Sequence, residues 1–330
     1  MRISTGMAYN SFHNNISRIQ EDHYKDQLRK STGKNIINIG EAPSRLMDVK
    51  KIEAQINMKD NYIYLNDYAV NEMRSCEDQA SAISEALQQI KDLSVSSTNP
   101  AYDGNVTSIG TFIKGIITDM IRNANADFNG KYLFGGTKTS PNSILTDYPD
   151  MTNMPFELVE SPPTPENPSG LSVIFKGNME SRIINKDAHS QEVINMNAEE
   201  LFGADGVAFF QPLIGLYNVL VFTREGEKRE WIDSLDREEK QLINVLQTQV
   251  ANDIHVLNKN IAIFSSRRNR IETINIQMEE EVIRLKEVRS LKEDADISRV
   301  LINISKEETA LQYSLSVGAS IQKYSLFDFI

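Results

Sequence analysis

The chain has 330 residues, 40% of them hydrophobic and 25% charged, with a formal net charge of −11 and an isoelectric point near 5.0. That length suffices for two or more compact units, and the acidic balance argues against general nucleic-acid binding and against a polybasic membrane anchor. A single cysteine, Cys76, rules out an internal disulfide, and no window approaches the roughly 20 apolar residues of a membrane-spanning helix.

In chain order, the N-terminal segment steps Phe12, Ile16 and Ile19 along a face otherwise made of Asn, Gln, Ser and His. It lacks the 7–15-residue apolar core of a cleaved signal peptide, so the expectation is either a cytoplasmic protein or export by another route. Ala42-Pro43-Ser44 breaks the chain. Apolar residues at helical spacing then run from Leu46 through Val49, Ile52, Ile56, Ile63, Val70, Met73, Ala80, Ile83 and Leu87 to Ile90. The cluster Asn99-Pro100-Ala101-Tyr102-Asp103-Gly104 reads as a turn. A second helix is predicted through Val106, Ile109, Ile113, Ile116 and Met120 to Phe128, ended by Asn129-Gly130.

The middle of the chain changes character. Most of the ten prolines lie between Pro141 and Pro168, and Pro162 to Pro168 reads as an exposed loop. Short strands are predicted at Phe156–Val159, Leu171–Phe175, Ser181–Asn185 and Glu192–Met196, and Gln211–Phe222 as a helix. Helix returns at about Asp233. Its core-facing series, close to a 3.5-residue repeat, is Leu242, Leu246, Val250, Ile254, Leu257, Ile261, Phe264, Ile271, Met278, Val282 and Leu285. At 1.5 Å per residue a helix of about 55 residues spans roughly 80 Å, the dimension of a helical rod.

Leu291 to Ile330 reads as one further amphipathic helix, with the stripe Ile297, Leu301, Ile304, Leu311 and Leu315 and the apolar ending Leu326, Phe327, Phe329 and Ile330. It carries no glycine cap and no proline stop. Such an end needs something to pack against, since chain ends usually fray. The fold class is therefore mainly α with a β-rich insertion, a long antiparallel helical rod formed by the N- and C-terminal segments with the β unit projecting from one end. The division expected is a terminal assembly domain (1–43 with 291–330), a rod (44–130 with 230–290) and an inserted β-rich domain (131–229).

Chemistry finds little footing. His13, His23, His189 and His255 fit no metal-binding spacing and read as solvated or partner-facing. Cys76 reads as a structural thiol. Gly130 to Thr139 superficially suggests a phosphate loop, but a helix precedes it and Thr137 rather than lysine follows the glycine pair, so it reads as a helix-to-strand corner with aromatic anchors. Glu279-Glu280-Glu281 and Arg267-Arg268 read as solvated charge, with interchain ion pairs as the sharper alternative. No catalytic set can be placed; no enzyme activity, cofactor or metal is expected.

Met1-Arg2-Ile3-Ser4-Thr5-Gly6-Met7 with Tyr9-Asn10 resembles the start of proteins of the bacterial flagellin-like family. Ser31-Thr32-Gly33-Lys34 with Ile37 is similar to that family's first-helix end, although Gly40-Glu41-Ala42-Pro43 replaces its Asp-Asp-Pro sequence. Phe128 to Thr137 resembles the corner that marks the family's hook–filament junction members off from flagellin proper. Phe175-Lys176-Gly177-Asn178, Val193 to Asn197 and Leu201-Phe202-Gly203 resemble the central domain. Ser265 to Glu272, Glu293 to Ile297, Leu311 to Leu315 and Ser325 to Ile330 resemble the returning and C-terminal helices.

The resemblance implies a structural subunit of the flagellum at the hook–filament junction, adapting the hook-associated protein 1 ring to flagellin, with flagellin itself or a non-flagellar helical-rod protein as alternatives. It implies as partners hook-associated protein 1, flagellin, further copies in a ring, and a cytoplasmic export chaperone on the C-terminal helix. It implies no nucleic acid and no membrane insertion, and passage through the flagellar type III apparatus to the extracellular flagellum. The assembly residues expected are those of the two apolar ends, Phe12, Ile16, Ile19, Ile297, Leu301, Ile304, Leu311, Leu315, Leu326, Phe327, Phe329 and Ile330.

Overall fold

A computed structural model describes residues 5–38, 40–99, 104–140, 153–230 and 233–327. Three helices come first, α1 (Thr5–Thr32), α2 (Pro43–Ser97) and α3 (Val106–Ala124). Six short strands follow: β1 (Asp127–Phe128), β2 (Lys131–Tyr132), β3 (Phe156–Glu160), β4 (Leu171–Phe175), β5 (Ile183–Asn185) and β6 (Gln191–Val193). Four helices complete the order: α4 (Ala198–Phe202), α5 (Phe210–Val221), α6 (Arg237–Glu293) and α7 (Ile297–Phe327). Among the described residues the architecture is mainly helical with strands only in the middle, as the periodicities predict. The strands pair in sequence as three antiparallel hairpins, β1-β2, β3-β4 and β5-β6. The described chain divides into two compact units, Met1–Asp60 with Met278–Ile330, and Asn61–Gln277.

In the Asn61–Gln277 unit, α2 buries Asn66, Met73, Ala80, Leu87 and Ser94 at seven-residue intervals, and Ala69, Cys76, Ile83, Ile90 and Ser97 at the same interval three residues on. From α6 come Ile243, Val250, Leu257, Phe264 and Ile271, again seven apart. This is the heptad pattern of helices packed side by side. Leu242, expected in the core, is exposed, and its place is taken by Ile243, one residue on and in step with Val250. Asn66 and Asn275 sit among these apolar positions. The Asn66 amide donates to Asn275 Oδ1 at 2.8 Å and to the Lys186 carbonyl at 2.9 Å, and Asn275 Nδ2 donates to Asp67 at 2.8 Å. A polar pair at a heptad position fixes register.

The second predicted helix stops earlier than expected. Helix α3 ends at Ala124, where the Asn125 N–H closes the last turn. Asn129 and Gly130, with φ of 52° and 74°, instead form the two-residue turn of the β1-β2 hairpin. Asn-Gly is the sequence such a turn favours, because both central residues need positive φ. Asn125 then brackets β3 in both directions: its Oδ1 accepts from Phe156 N and its Nδ2 donates to Phe156 O, each at 2.8 Å. The rings of Phe175, Phe156, Phe202 and Phe210 contact one another in that order, tilted or edge-to-face, with centroids 4.5–5.2 Å apart.

Helix α6 begins on a reciprocal cap. Asp236 Oδ1 accepts from Glu239 N at 2.8 Å and Glu239 Oε2 accepts from Asp236 N at 2.9 Å. The charge runs find partners inside the chain. Arg267 donates to Glu200 and Arg268 to Glu77 and Glu272, so these arginines do not wait for an interchain acid.

In the Met1–Asp60 with Met278–Ile330 unit, Val49, Ile56, Met278 and Val282 are buried. Glu281 pairs with Lys59, and Lys292 donates to Asp48 at 2.6 Å. The C-terminal segment is not one helix from Leu291. Residues 294–296 interrupt it, and the chain re-enters helix at Ile297.

Candidate assembly site

The interruption before α7 has a counterpart after α1. Gly33, at φ 69°, ends α1 with its N–H on the Arg29 carbonyl at 2.9 Å. The two linkers then pair with each other. Asn35 N donates to Glu293 O at 2.7 Å and Ala295 N to Gly33 O at 2.8 Å, with the Lys34 ammonium 2.8 Å from Glu293. Glu41, where the family motif carries paired aspartates, turns back so that its carboxylate accepts from Ile37 N and lies 3.7 Å from Arg29. Arg29 also donates to the buried Asp26 at 2.7 Å and to the Asn35 carbonyl at 3.1 Å. The joint is capped through Arg29 and Glu41.

From this joint α1 and α7 run antiparallel in one register. Phe12 lies against Gly318, and His23 Nδ1 is 3.5 Å from Glu307 Oε2. Both contacts pair residues whose numbers sum to the same value, which sets Ile16 opposite Ser314, Ile19 opposite Leu311, Asp26 opposite Ile304 and Lys30 opposite Val300. On α1 the seam is Phe12, Ile16, Ile19, His23 and Asp26; on α7 it is Val300, Ile304, Glu307, Leu311, Ser314 and Gly318, all buried or half-buried. A Cβ on residue 318 would stand 2.3 Å from the Phe12 ring tip, so glycine leaves room for the ring where it lies and a larger residue would push it aside.

The seam therefore brings together Phe12, Ile16, Ile19, Ile304 and Leu311 of the expected residues. It leaves out Ile297, Leu301 and Leu315, which are 40%, 45% and 56% exposed. At 100° per residue Ile297 and Leu315 sit about 60° from the centre of the seam and Leu301 about 100°. They form an exposed apolar flank, and Ile302, Tyr313 and Val317 form another on the far side. Leu326 and Phe327 belong to the last turn of α7, but their side chains, like Phe329 and Ile330 altogether, lie outside the described residues.

Sequence reasoning missed Val300, Gly318, His23, Asp26 and Glu307. The spacing 300, 304, 307, 311, 314, 318 is a regular alternation of four and three, but its Glu, Ser and Gly members hide it from a search for apolar residues. His23 is half-buried beside Glu307 rather than solvated. Burial and the neighbouring Asp26 raise the Glu307 carboxyl above its ordinary range, opposed by His23. A cavity of about 250 Å³ lies at this polar step, bounded by Ile19, His23, Tyr24, Glu307 and Leu311.

Among the described residues no group of three His, Cys, Asp or Glu side chains could hold a metal ion, and no helix is long and apolar enough to cross a membrane. Cys76 is fully buried, and burial followed by the charge of Glu72 pushes its thiol up to about 12, which leaves it inert as a nucleophile at neutral pH.

Comparison with known proteins adds to the geometry. Residues 3–139 match the bacterial flagellin N-terminal helical region. The chain is 23% identical to flagellar hook-associated protein 3 of Escherichia coli over 348 aligned positions, covering 99% of each. The chain is thus similar to flagellins over its N-terminal region and to flagellar hook-associated protein 3 from end to end. A second relative of that name, from Salmonella typhimurium, is 29% identical over 42% of this chain and 44% of the relative. Among solved structures the fold is shared with a flagellar hook-associated protein assigned in Vibrio parahaemolyticus (TM-score 0.60, 16% identity, 77% of this chain and 99% of that one). It is also shared with the flagellar junction protein FlgL of Legionella pneumophila (TM-score 0.51, 10% identity, 76% and 99%).

The corner after α3 has a structural reason for the residues from Leu133 to Thr137. Leu133 and Phe134 are buried anchors. Gly136, at φ 70°, lies so close to Asn178 that a Cβ would meet its carbonyl at 2.1 Å, and a Cβ on Gly135 would meet the Lys138 carbonyl at 2.5 Å. Asn178 closes the corner: its Oδ1 accepts from Thr137 N at 2.8 Å and its Nδ2 donates to Thr137 Oγ1 at 2.7 Å. The glycine pair serves backbone packing, and among the described residues the next element after it is the strand β3 rather than a helix that could receive a phosphate.

Proposed function

We propose that this chain is a structural subunit at the junction of the flagellar hook and filament, seated between a ring of hook-associated protein 1 and the first flagellin subunits. The observation that carries the reading is the pair of terminal helices. Each gives one face to the other, and α7 keeps two apolar flanks, around Leu301 and around Ile302, open to solvent. Apolar flanks on both sides of a paired helix fit a subunit whose neighbours complete it, and repeated head-to-tail contacts build rings or helical arrays. The name flagellar junction protein, borne by a structural neighbour, agrees with it.

On this reading residues 1–43 with 291–330 make the assembly domain, 44–130 with 230–290 the rod and 131–229 the outer β-rich domain. Export proceeds unfolded through the flagellar type III channel, with a cytoplasmic chaperone covering the end of α7 until then. Replacing Leu326 and Phe329 together with aspartate tests the role. The substituted protein keeps its rod and β-rich domain but loses chaperone binding or incorporation, so that cells carry hooks without filaments. Wild-type filaments on those cells would refute it, as would a deletion strain with normal flagella by electron microscopy.

A further inference from the structure

The β-rich part of the chain holds a groove of about 620 Å³ that the assembly reading does not use. One wall is Leu171, Ser172 and Val173, three consecutive residues of β4. Consecutive strand residues face opposite sides of a sheet, so a surface lined by all three runs along the strand's edge. The other wall is α5 and the turn before it, through Val207, Phe210 and Ile214.

The ladder phase shows which backbone groups face the groove. Ser161 N bonds Gly170 O and Lys176 N bonds Pro155 O, each at 2.8 Å. In the register Leu158↔Val173, residue 173 falls at a non-hydrogen-bonded pair, so its N–H and C=O point away from β3. Within the described residues no other strand pairs with β4. Asn218 adds a second, independent pointer. It lines the groove at 9% exposure, its Nδ2 donates to Asn167 at 2.9 Å, and its Oδ1 has no partner. A buried amide oxygen left unpaired is costly and is satisfied by a donor entering the groove.

We propose that this groove binds a short extended peptide segment of another protein, which adds as a strand to the free edge of β4 beneath α5. Main-chain bonds to Val173 supply affinity, and the apolar wall of Val207, Phe210 and Ile214 receives alternate side chains. The occupant is a linear peptide rather than a second copy, because a space of this size holds far less than the ~20–30 residues a side of a stable protein interface. The exposed Glu166 at its rim and the net charge of −11 favour basic flanking residues on the peptide. The proposal is independent of the junction role.

The test uses the full chain and a fluorescein-labelled heptapeptide in which valine and threonine alternate between terminal lysines, with a backbone N-methylated version as control. Expected are saturable binding of the first peptide only, shifts of the Val173 and Gln211 amide signals, and at least a tenfold loss of affinity in Val173→Pro and in Gln211→Trp. The proline removes an N–H that the β3 ladder does not use, and the tryptophan fills the groove from an exposed position. Melting curves establish that each variant folds; if Val173→Pro does not, Gln211→Trp decides. Absence of binding, equal binding of the N-methylated peptide, or unchanged affinity in the folded variants overturns the proposal. So does a Gln211→Trp protein that loses self-association in sedimentation, which would make a second copy the occupant.

Discussion

Glu192 and Asp253 are two carboxyls that the fold treats in opposite ways. Arg270 grips Glu192 with two hydrogen bonds of 2.7 and 3.0 Å and Lys186 adds a third at 2.9 Å. Arg270 first and then Lys186 hold its carboxyl at about 2, below the ordinary 4.5. A depressed carboxylate contributes stability that is present above about pH 4.5 and is lost as pH falls toward 2. Glu192→Gln is therefore expected to cost about 1–3 kcal/mol in urea unfolding at pH 7, with the difference from wild type narrowing as pH falls from 5 to 3. Asp253 has only burial acting on it, which raises its carboxyl from 3.8 to about 6. The folded state then holds a proton that the unfolded chain has released, so stability falls as pH rises from about 4 to above 6. Asp253→Asn should stabilise the protein at pH 7 by about 1 kcal/mol, allowing for solvent screening, and remove that part of the pH dependence of the urea midpoint.

For the paired helices α1 and α7, the weak step is the polar layer rather than the apolar ends. His23 Nδ1 and Glu307 Oε2 are both buried without a hydrogen bond, beside a cavity. Replacing buried polar or ionisable partners by apolar side chains of similar volume is often neutral or stabilising by about 1–4 kcal/mol. His23→Leu combined with Glu307→Leu should therefore tighten the helix pair and slow amide exchange across α1 and α7 by about tenfold or more, equivalent to ~1.4 kcal/mol. Either substitution alone removes the 3.5 Å contact while leaving the other polar atom buried, and should speed exchange. Equal exchange in all four proteins would show that the layer has no bearing on the pairing.

The whole molecule combines units of unequal means. Among the described residues the Asn61–Gln277 unit holds most of the buried apolar side chains, whereas α7 fully buries only Val300 and Ile304 on its seam. Helices of 28 and 31 residues must be ordered against that small gain, at about 1–2 kcal/mol per residue. We expect residues of about 1–40 and 295–330 to exchange their amides within seconds in the free chain while the heptad positions of α2 and α6 stay protected for hours. Strong protection at both ends of a monomer would sink the idea that neighbours complete them.

The sequence by itself determined the long helices and the place of the β-rich insertion between them, though neither α4 nor the β1-β2 hairpin. Seven-residue spacing in α2 and α6, β-branched runs at β3 and β4 and the apolar stretch of α5 are local signals, and each lies where it was predicted. It also marked Phe12, Ile16, Ile19, Ile304 and Leu311 as parts of packing faces, and they lie on the α1–α7 seam, because amphipathic spacing marks a packing face whatever covers it. Tertiary structure alone decided the rest. The Asn129-Gly130 pair serves a hairpin turn and not a helix end, since either use needs positive φ. The break at residues 294–296 follows from pairing with the Gly33–Asn35 linker, a contact between distant segments that no local pattern records. The true α7 seam runs through Gly318 and Glu307, where shape and charge opposite Phe12 and His23 outweigh hydrophobicity. Periodicity fixes which residues can share a face; only the partner helix determines which face is used.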